Sequence, residues 1–285
     1  MLLIYKQKDI PMDKIPTDQQ IASKLMNREV FETLEYTSPY IFESALNDQK
    51  LIFFGANHSR DPSNFQYPIL AELWKTYSER FEPHKCIVLV EGGKRFYPEP
   101  TLDEAVINGS EGSFISYLAF EKKIRIECPE PSRDIINTHL ERSFSLDEIQ
   151  YYYFARVVHQ WSRFLDKPSF DDYIDKCLKH DEIENGWQNY DYSFTHMMNL
   201  HKKFFRTKFD YHDSNFFYSH INPFMYTSVI NEVSYDEGRY RDIHIVKEIL
   251  KYLSLGLSPF AVFGSGHAVV QEQALKDFIT FQDKS

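Results

Sequence analysis

Four short strand-like segments that alternate with helical segments most restrict the fold of this 285-residue chain. The clearest, Cys86-Ile-Val-Leu-Val90, is an unbroken apolar run, which is typical of a strand buried on both faces of a sheet. Strands that alternate with helices pair in parallel through right-handed crossovers. We therefore expect an α/β protein with helices between its strands. The four predicted strands cover residues 51–54, 86–90, 124–128 and 260–263.

The alternation stops between residues 144 and 225, where the sequence predicts helices and no buried strand. The simplest interpretation is one α/β domain that is interrupted by an α-helical insertion, which would act as a lid or bind substrate. The predicted divisions are an N-terminal arm and helix over 1–45, the α/β domain over 46–143 and 226–285, and the insertion over 144–225. Helices are predicted over 17–30, 68–77, 113–122, 146–165, 243–253 and 268–279.

Composition excludes several classes of protein. The formal net charge of −10 disfavours nucleic acid as a partner, because binding to a phosphate backbone needs a basic surface. No apolar run approaches the roughly 20 residues that span a bilayer, so we expect no membrane association. The N-terminus lacks the apolar core of a signal peptide. The three cysteines have no metal-type spacing and are interpreted as reduced thiols of a cytoplasmic protein: Cys86, Cys128 and Cys177.

Two similar corners follow the first and last predicted strands. Gly55-Ala-Asn-His58 comes after the strand at 51–54, and Gly264-Ser-Gly-His267 comes after the strand at 260–263. Glu91 directly ends the strand between them and precedes two glycines. Because ligands bind outside the carboxyl ends of parallel strands, we expect these three side chains to meet at one edge of the sheet.

Two imidazoles and one carboxylate form a common ligand set for a catalytic divalent cation, since they leave coordination positions open for water. His58, Glu91 and His267 are therefore the predicted metal ligands. Manganese, cobalt and zinc are all compatible with this set. A cation held there would lower the pKa of bound water and polarise a carbonyl or phosphoryl oxygen.

The same motifs resemble those of the TraB/Tiki family, which belongs with the erythromycin esterase and ChaN-like proteins. The resemblance rests on Gly55-Ala-Asn-His58, Val88-Leu-Val-Glu91, Gly264-Ser-Gly-His267 and the tail Arg239-Tyr-Arg241-Asp242 that precedes the last strand. It extends over the stretch from Ser113 to Pro131 and covers roughly 50–135 and 236–280. The arm and the insertion match no family that we can name.

The resemblance implies a mixed, mostly parallel central sheet and a metal-dependent hydrolase acting on a peptide, ester or amide bond. His58, Glu91 and His267 take the family's catalytic positions, and Arg241 matches its arginine, which would hold a substrate carboxylate or Glu91. One departure is that Asp242 stands where the family commonly has asparagine. This leaves open whether Arg239 or Arg241 aligns with the arginine of the family.

Further candidates for substrate binding lie close to these motifs. Asn57 and Arg60 flank His58, and Glu130 and Arg133 follow the third predicted strand. Together with Arg239 they would bind a small-molecule or peptide substrate, and the alternative for Glu130 and Arg133 is a solvated loop. The sequence indicates no oligomeric state.

Two other functions remain open. In the first, a histidine activates water without a metal, assisted by Glu91 or the second histidine, as in an esterase of the erythromycin esterase type. In the second, the protein is a non-catalytic module whose insertion binds a small ligand such as haem or a lipid.

Overall fold

The computed structural model describes residues 15–93, 99–164 and 166–283, so residues 1–14 of the predicted arm lie outside the described part. The strands are β1 (Tyr40–Leu46), β2 (Gln49–Ala56), β3 (Cys86–Val90), β4 (Arg125–Glu127) and β5 (Ser258–Gly264). The helices are α1 (Asp18–Ala22), α2 (Arg28–Thr33), α3 (Gln66–Arg80), α4 (Leu102–Glu121), α5 (Arg133–Leu140), α6 (Leu146–Ser162), α7 (Phe170–Asn185), α8 (Phe194–Phe205), α9 (Ser214–Ile221), α10 (Val229–Ser254) and α11 (Ser265–Asp283).

The five strands form one sheet in the order β1-β2-β5-β3-β4. β2, β5, β3 and β4 pair in parallel, and β1 pairs with β2 in an antiparallel hairpin. The fold is therefore α/β with a mixed, mostly parallel sheet, as the sequence predicts. β5, which is last in the chain, lies between β2 and β3.

Both faces of the sheet are buried, which explains why its central strands read as unbroken apolar runs. Alternate side chains of a strand point to opposite faces. Phe53 and its neighbours on one face pack against α1, α10 and α11, whereas Phe54 and its neighbours on the other face pack against α3 and α4. The sheet is thus the middle layer between two layers of helices.

Strand β1 is absent from the sequence prediction. Only Phe42 and Leu46 of this edge strand are buried, so its apolar residues form no continuous run. A turn at Asn47-Asp48 joins β1 to β2, and Asn47 takes a positive φ of 52°. Asn and Asp favour such two-residue hairpin turns, so this pair was the available signal.

Several helix boundaries also differ from the prediction. The single helix predicted over 17–30 is two short helices, α1 and α2. Thr17, the first residue of the predicted range, caps α1 in a capping box. Helix α4 begins at Leu102 and not near Ser113, because it continues through a break at Gly109 and Ser110. Helix α10 begins at Val229, well before the predicted start at Ile243.

The chain divides into two compact units. Unit 1 consists of the described residues up to Glu130 and from Asp242 onward, and it contains the sheet. Unit 2, Pro131–Arg241, holds α5 to α9 and the first half of α10 around an aromatic core that includes Tyr151, Phe154 and Trp161. No helix in the described ranges combines the length and the apolar character that crossing a membrane requires.

Candidate functional site

The three strands that carry the predicted site residues are neighbours in the sheet. β2 and β3 flank β5, and all three run in the same direction. His58 lies two residues beyond β2, Glu91 directly follows β3, and His267 is the third residue of α11, which begins where β5 ends. The carboxyl ends of these strands therefore bring the three side chains to one edge of the sheet.

The Glu91 carboxylate lies between the two imidazoles. His58 Nε2 is 3.7 Å from Glu91 Oε2, and His267 Nε2 is 3.8 Å from Glu91 Oε1. Both distances are too long for hydrogen bonds. Glu91 is oriented from behind by the backbone N–H of Gly264, which donates to Oε2 at 2.8 Å. Each imidazole thus faces a different oxygen of one fixed carboxylate.

His58 is held from its other side by Glu111 in helix α4. Its Nδ1 contacts Glu111 Oε1 at hydrogen-bond range. The Glu111 side chain is only 4% exposed, and its second oxygen, Oε2, has no hydrogen-bond partner among the described residues. The hydrogen bond to Glu111 raises the pKa of His58 above its ordinary value of 6.5, against an opposing effect of burial.

His267 is held in the same way by Asp242 in helix α10. Its Nδ1 lies 2.5 Å from Asp242 Oδ1. The amide of Gln271, one turn after His267 in α11, donates to the same oxygen at 2.6 Å. Asp242 is almost fully buried, at 5% exposure. Both histidines therefore carry a buried carboxylate at Nδ1 and present Nε2 to Glu91.

The first glycine of each corner, Gly55 or Gly264, is required by close approach and not by an unusual turn. A Cβ on Gly55 would lie 2.7 Å from Ala268 Cβ, and one on Gly264 would lie 2.8 Å from His58 Nε2. By contrast, Gly92 and Gly93 after Glu91 have positive φ values of 82° and 95°. They make the sharp turn that follows Glu91.

The side chains at this edge have the chemistry of a metal site in a geometry that is slightly too open. Metal–ligand bonds of about 2.1 Å at a tetrahedral angle would place the nitrogen and oxygen donors about 3.4 Å apart. The observed separations are 3.7 and 3.8 Å. Accordingly, within residues 15–93, 99–164 and 166–283, no group of three or more His, Cys, Asp or Glu is arranged to hold an ion. The residues fit a divalent cation by the chemistry of their donors, which are two imidazole nitrogens and one carboxylate.

The other predicted residues of unit 1 are Asn57, Arg60 and Glu130. The backbone of Asn57 is fixed by Gln66, which accepts from its N–H and donates to its C=O at 3.0 Å each. Arg60 is exposed. Glu130 accepts a hydrogen bond from the N–H of Gly92 at 2.8 Å, so it stabilises the turn that follows Glu91.

The other three predicted arginines belong to unit 2: Arg133, Arg239 and Arg241. The Arg133 guanidinium stacks 3.7 Å above the ring of Tyr153 and lies 3.8 Å from Asp181. Arg241, the last residue of the unit, pairs with Glu237 at 3.6 Å, one turn earlier in α10. Arg239 occupies the same helix. Their proposed contact with substrate stays a prediction.

A surface groove of about 510 Å³ lies elsewhere in unit 1, along α3 and the β1–β2 hairpin. Its apolar lining includes Ile52, Ile69 and Leu73, and none of the histidines or carboxylates at the strand ends contributes to it. The candidate site is the cluster of His58, Glu91 and His267, because acid–base and metal catalysis need titratable groups that face one another.

Comparisons of the chain with protein-family models, with curated proteins and with solved structures found no match. The resemblance to the TraB/Tiki family therefore rests on the short motifs alone.

Two residues of the site were absent from the sequence prediction. Glu111 and Asp242 are carried by helices, and a single carboxylate in a helix gives no signal of its own. A partial signal for Glu111 was the Gly109-Ser110 pair before it, because such a pair often marks a break in a helix. For Asp242 the available signal was the departure from the family's asparagine.

Proposed function

We propose that this protein is a metal-dependent hydrolase whose divalent cation is held by His58, Glu91 and His267. The observation that carries the proposal is that two imidazole Nε2 atoms face the two oxygens of one carboxylate at 3.7 and 3.8 Å. If an Nε2 carried a proton, it would be expected to donate to the carboxylate at about 2.7–2.9 Å. Lone pairs that face an anion are instead favourable when a cation lies between them.

Manganese, cobalt and zinc all suit two nitrogen donors and one oxygen donor. Such an ion would supply Lewis-acid polarisation of a carbonyl and a more acidic water. Glu91 and the two imidazoles would fix the position of this centre at the edge of the sheet. Asn57 and Arg60, on the same loop as His58, are the proposed contacts to a substrate carbonyl or carboxylate of a peptide, ester or amide.

The test begins with protein purified without a chelator. Metal analysis should find a stoichiometric divalent ion, and the chelated protein should regain Mn²⁺, Co²⁺ or Zn²⁺ in calorimetric titrations. His58→Ala and His267→Ala should each abolish binding, whereas His84→Ala, which removes an exposed histidine on a short helical turn of unit 1, should not. Failure of the wild type to bind any of the three ions would refute the metal site.

The hydrolase part of the proposal needs an independent measurement. A panel of ester, peptide and amide substrates should be cleaved by the metal-loaded protein and not by the two alanine variants. A protein that binds metal and cleaves no member of the panel would contradict it.

A second candidate is hydrolysis without a metal. It is favoured by the His58–Glu111 pair, which resembles a general base and its orienting carboxylate, and by the raised pKa of His58. Activity that survives prolonged chelation would support this candidate over the metal-dependent one.

A further inference from the structure

The two carboxylates that contact the histidines from behind are independent of the predicted ligand set. Glu111 reaches His58 from helix α4, and Asp242 reaches His267 from helix α10. They lie on opposite faces of the sheet, since α4 packs on the face of Phe54 and α10 on the face of Phe53. The contact between a helix carboxylate and a histidine Nδ1 thus occurs twice, with a different helix each time.

An ionised carboxylate only accepts hydrogen bonds. An imidazole nitrogen in hydrogen-bond contact with it must therefore carry the proton. In a neutral imidazole this leaves the lone pair on the other nitrogen, and for both His58 and His267 that nitrogen is Nε2, the atom that faces Glu91. A histidine that ligates a metal through one nitrogen commonly donates its other N–H to a carboxylate in this way.

We infer that Glu111 and Asp242 are positioning residues that fix His58 and His267 as Nδ1–H tautomers, with both Nε2 lone pairs directed at the Glu91 carboxylate. The inference rests on the proposed function for its purpose, since the lone pairs would serve as ligands. The tautomers themselves can be measured in metal-free protein.

The two positioning residues are held by different means. Asp242 Oδ1 also accepts from Gln271 Nε2 at 2.6 Å, so a second side chain of α11 fixes the pair. The position of Glu111 is set by a break in α4, which leaves helical geometry at Gly109 and Ser110, directly before Glu111. At Ser110 φ is 52° and ψ is −150°. A non-glycine residue in such a conformation persists only where the surrounding structure imposes it, and such residues cluster at functional sites.

The experiment uses full-length protein labelled with ¹⁵N-histidine and freed of metal. Long-range ¹H–¹⁵N spectra recorded at a pH where the imidazoles are neutral distinguish the Nδ1–H from the Nε2–H tautomer. Resonances of His58 and His267 are assigned by their loss in the two alanine variants. We expect both residues to be Nδ1–H tautomers in the wild type.

Glu111→Gln should reduce the Nδ1–H population of His58 alone, and Asp242→Asn that of His267 alone. Both should weaken calorimetric binding of Mn²⁺ or Zn²⁺ by about 10- to 100-fold. The matched control is Asp236→Asn, which alters a carboxylate that lies 3.1 Å from His139 in unit 2. Asp236→Asn should change neither the tautomers of His58 and His267 nor the metal affinity. If Glu111→Gln does not fold, Glu111→Asp keeps the charge, retracts the carboxylate and should give the same shift.

Nε2–H tautomers in the wild type, or tautomers that do not change in the variants, would overturn the inference. This outcome is distinct from failure of the proposed function. Correct tautomers in a protein that binds no metal would leave the positioning roles standing, whereas metal binding with unchanged tautomers would leave only the metal site.

Discussion

The His58 imidazole lies between two carboxylates, with Glu111 at Nδ1 and Glu91 near Nε2. These carboxylates stabilise the protonated imidazole relative to the unfolded chain, chiefly through the hydrogen bond to Glu111, so the pKa of His58 is raised above its ordinary value. A histidine whose pKa is raised on folding contributes stability that is complete below the unfolded pKa of about 6.5. That stability is lost as the pH rises through the folded pKa.

The first prediction concerns this pH dependence in metal-free protein. Glu111→Gln should lower the free energy of unfolding relative to the wild type, and the difference should shrink as the pH rises above about 6.5 and through the raised pKa of His58. Urea denaturation across this range measures the difference, and NMR titration of His58 should show a lower pKa in the variant. Glu121→Gln, at the exposed end of the same helix, should show no such trend. A difference that grows with pH would contradict the prediction.

The second prediction concerns the glycines of the last corner. Gly264→Ala would place Cβ 2.8 Å from His58 Nε2 and 3.6 Å from Glu91 Oε2. Because Glu111 holds the His58 ring, the ring must move away, and metal affinity should fall by about 10-fold or more. Calorimetric titration measures this loss.

Gly266→Ala is the matched control. A Cβ there would meet no atom of another element within 4 Å in the described part of the chain, and the residue lies in α11. Since alanine favours a helix, this variant should bind metal normally and gain up to about 1 kcal/mol of stability. Equal metal affinities in the two variants would contradict the proposed close approach at Gly264.

The sequence could predict His58, Glu91 and His267 because each follows an apolar strand, and parallel strands end at a common edge. It could not predict Glu111 or Asp242 in the site. Their positions depend on how α4 and α10 pack against opposite faces of the sheet, and packing leaves no local pattern around a single carboxylate.

At the scale of elements, helix α4 differs most from its expected form. The sequence predicts a helix only from Ser113, whereas α4 begins at Leu102 and breaks at Gly109 and Ser110. The break places Glu111 at the start of the second helical segment. A residue in the conformation of Ser110 carries a strain of about 1–3 kcal/mol. This strained residue directly precedes Glu111, the residue that contacts His58.

The third prediction tests this strain. Ser110→Gly should stabilise the protein by about 1 kcal/mol, because glycine adopts a positive φ at little cost, partly offset by the greater freedom of the unfolded chain. Thermal and urea denaturation measure the gain. Ser113→Gly, in the regular part of the same helix, should instead destabilise by up to about 0.5 kcal/mol. Destabilisation by both variants would show that Ser110 is not strained.

Elements were predictable where their buried residues are apolar and form a continuous or periodic pattern. The strand Cys86–Val90 was predicted with its observed bounds, because all five residues are buried and apolar. Edge strand β1 was missed, because burial of only one face leaves polar residues such as Glu43 and Ser44 within it. The first half of α10 was missed as well, because its sequence is rich in polar residues such as Asn231, Asp236 and Glu237.

At the scale of the whole molecule, unit 1 contains every side chain of the candidate site, including both positioning carboxylates. Unit 2 extends over Pro131–Arg241, wider than the predicted insertion over 144–225. Its helices pack around their own aromatic core. Metal binding at the site should therefore act directly on the stability of unit 1.

The three tryptophans allow this to be measured in the intact chain. Trp74 is buried in unit 1, whereas Trp161 and Trp187 belong to unit 2. In protein labelled with 5-fluorotryptophan, ¹⁹F NMR during urea denaturation follows each ring separately, and single Trp→Phe variants assign the resonances.

The fourth prediction is that Mn²⁺ or Zn²⁺ raises the urea midpoint reported by Trp74. A ligand that binds only the folded state at 100 times its Kd adds about 2.7 kcal/mol. His267→Ala should abolish the shift, because it removes one of the three proposed ligands. The midpoints of Trp161 and Trp187 then measure whether unit 2 unfolds in the same transition. A Trp74 midpoint that does not respond to metal, or that responds equally in His267→Ala, would contradict a metal site at the strand ends of unit 1.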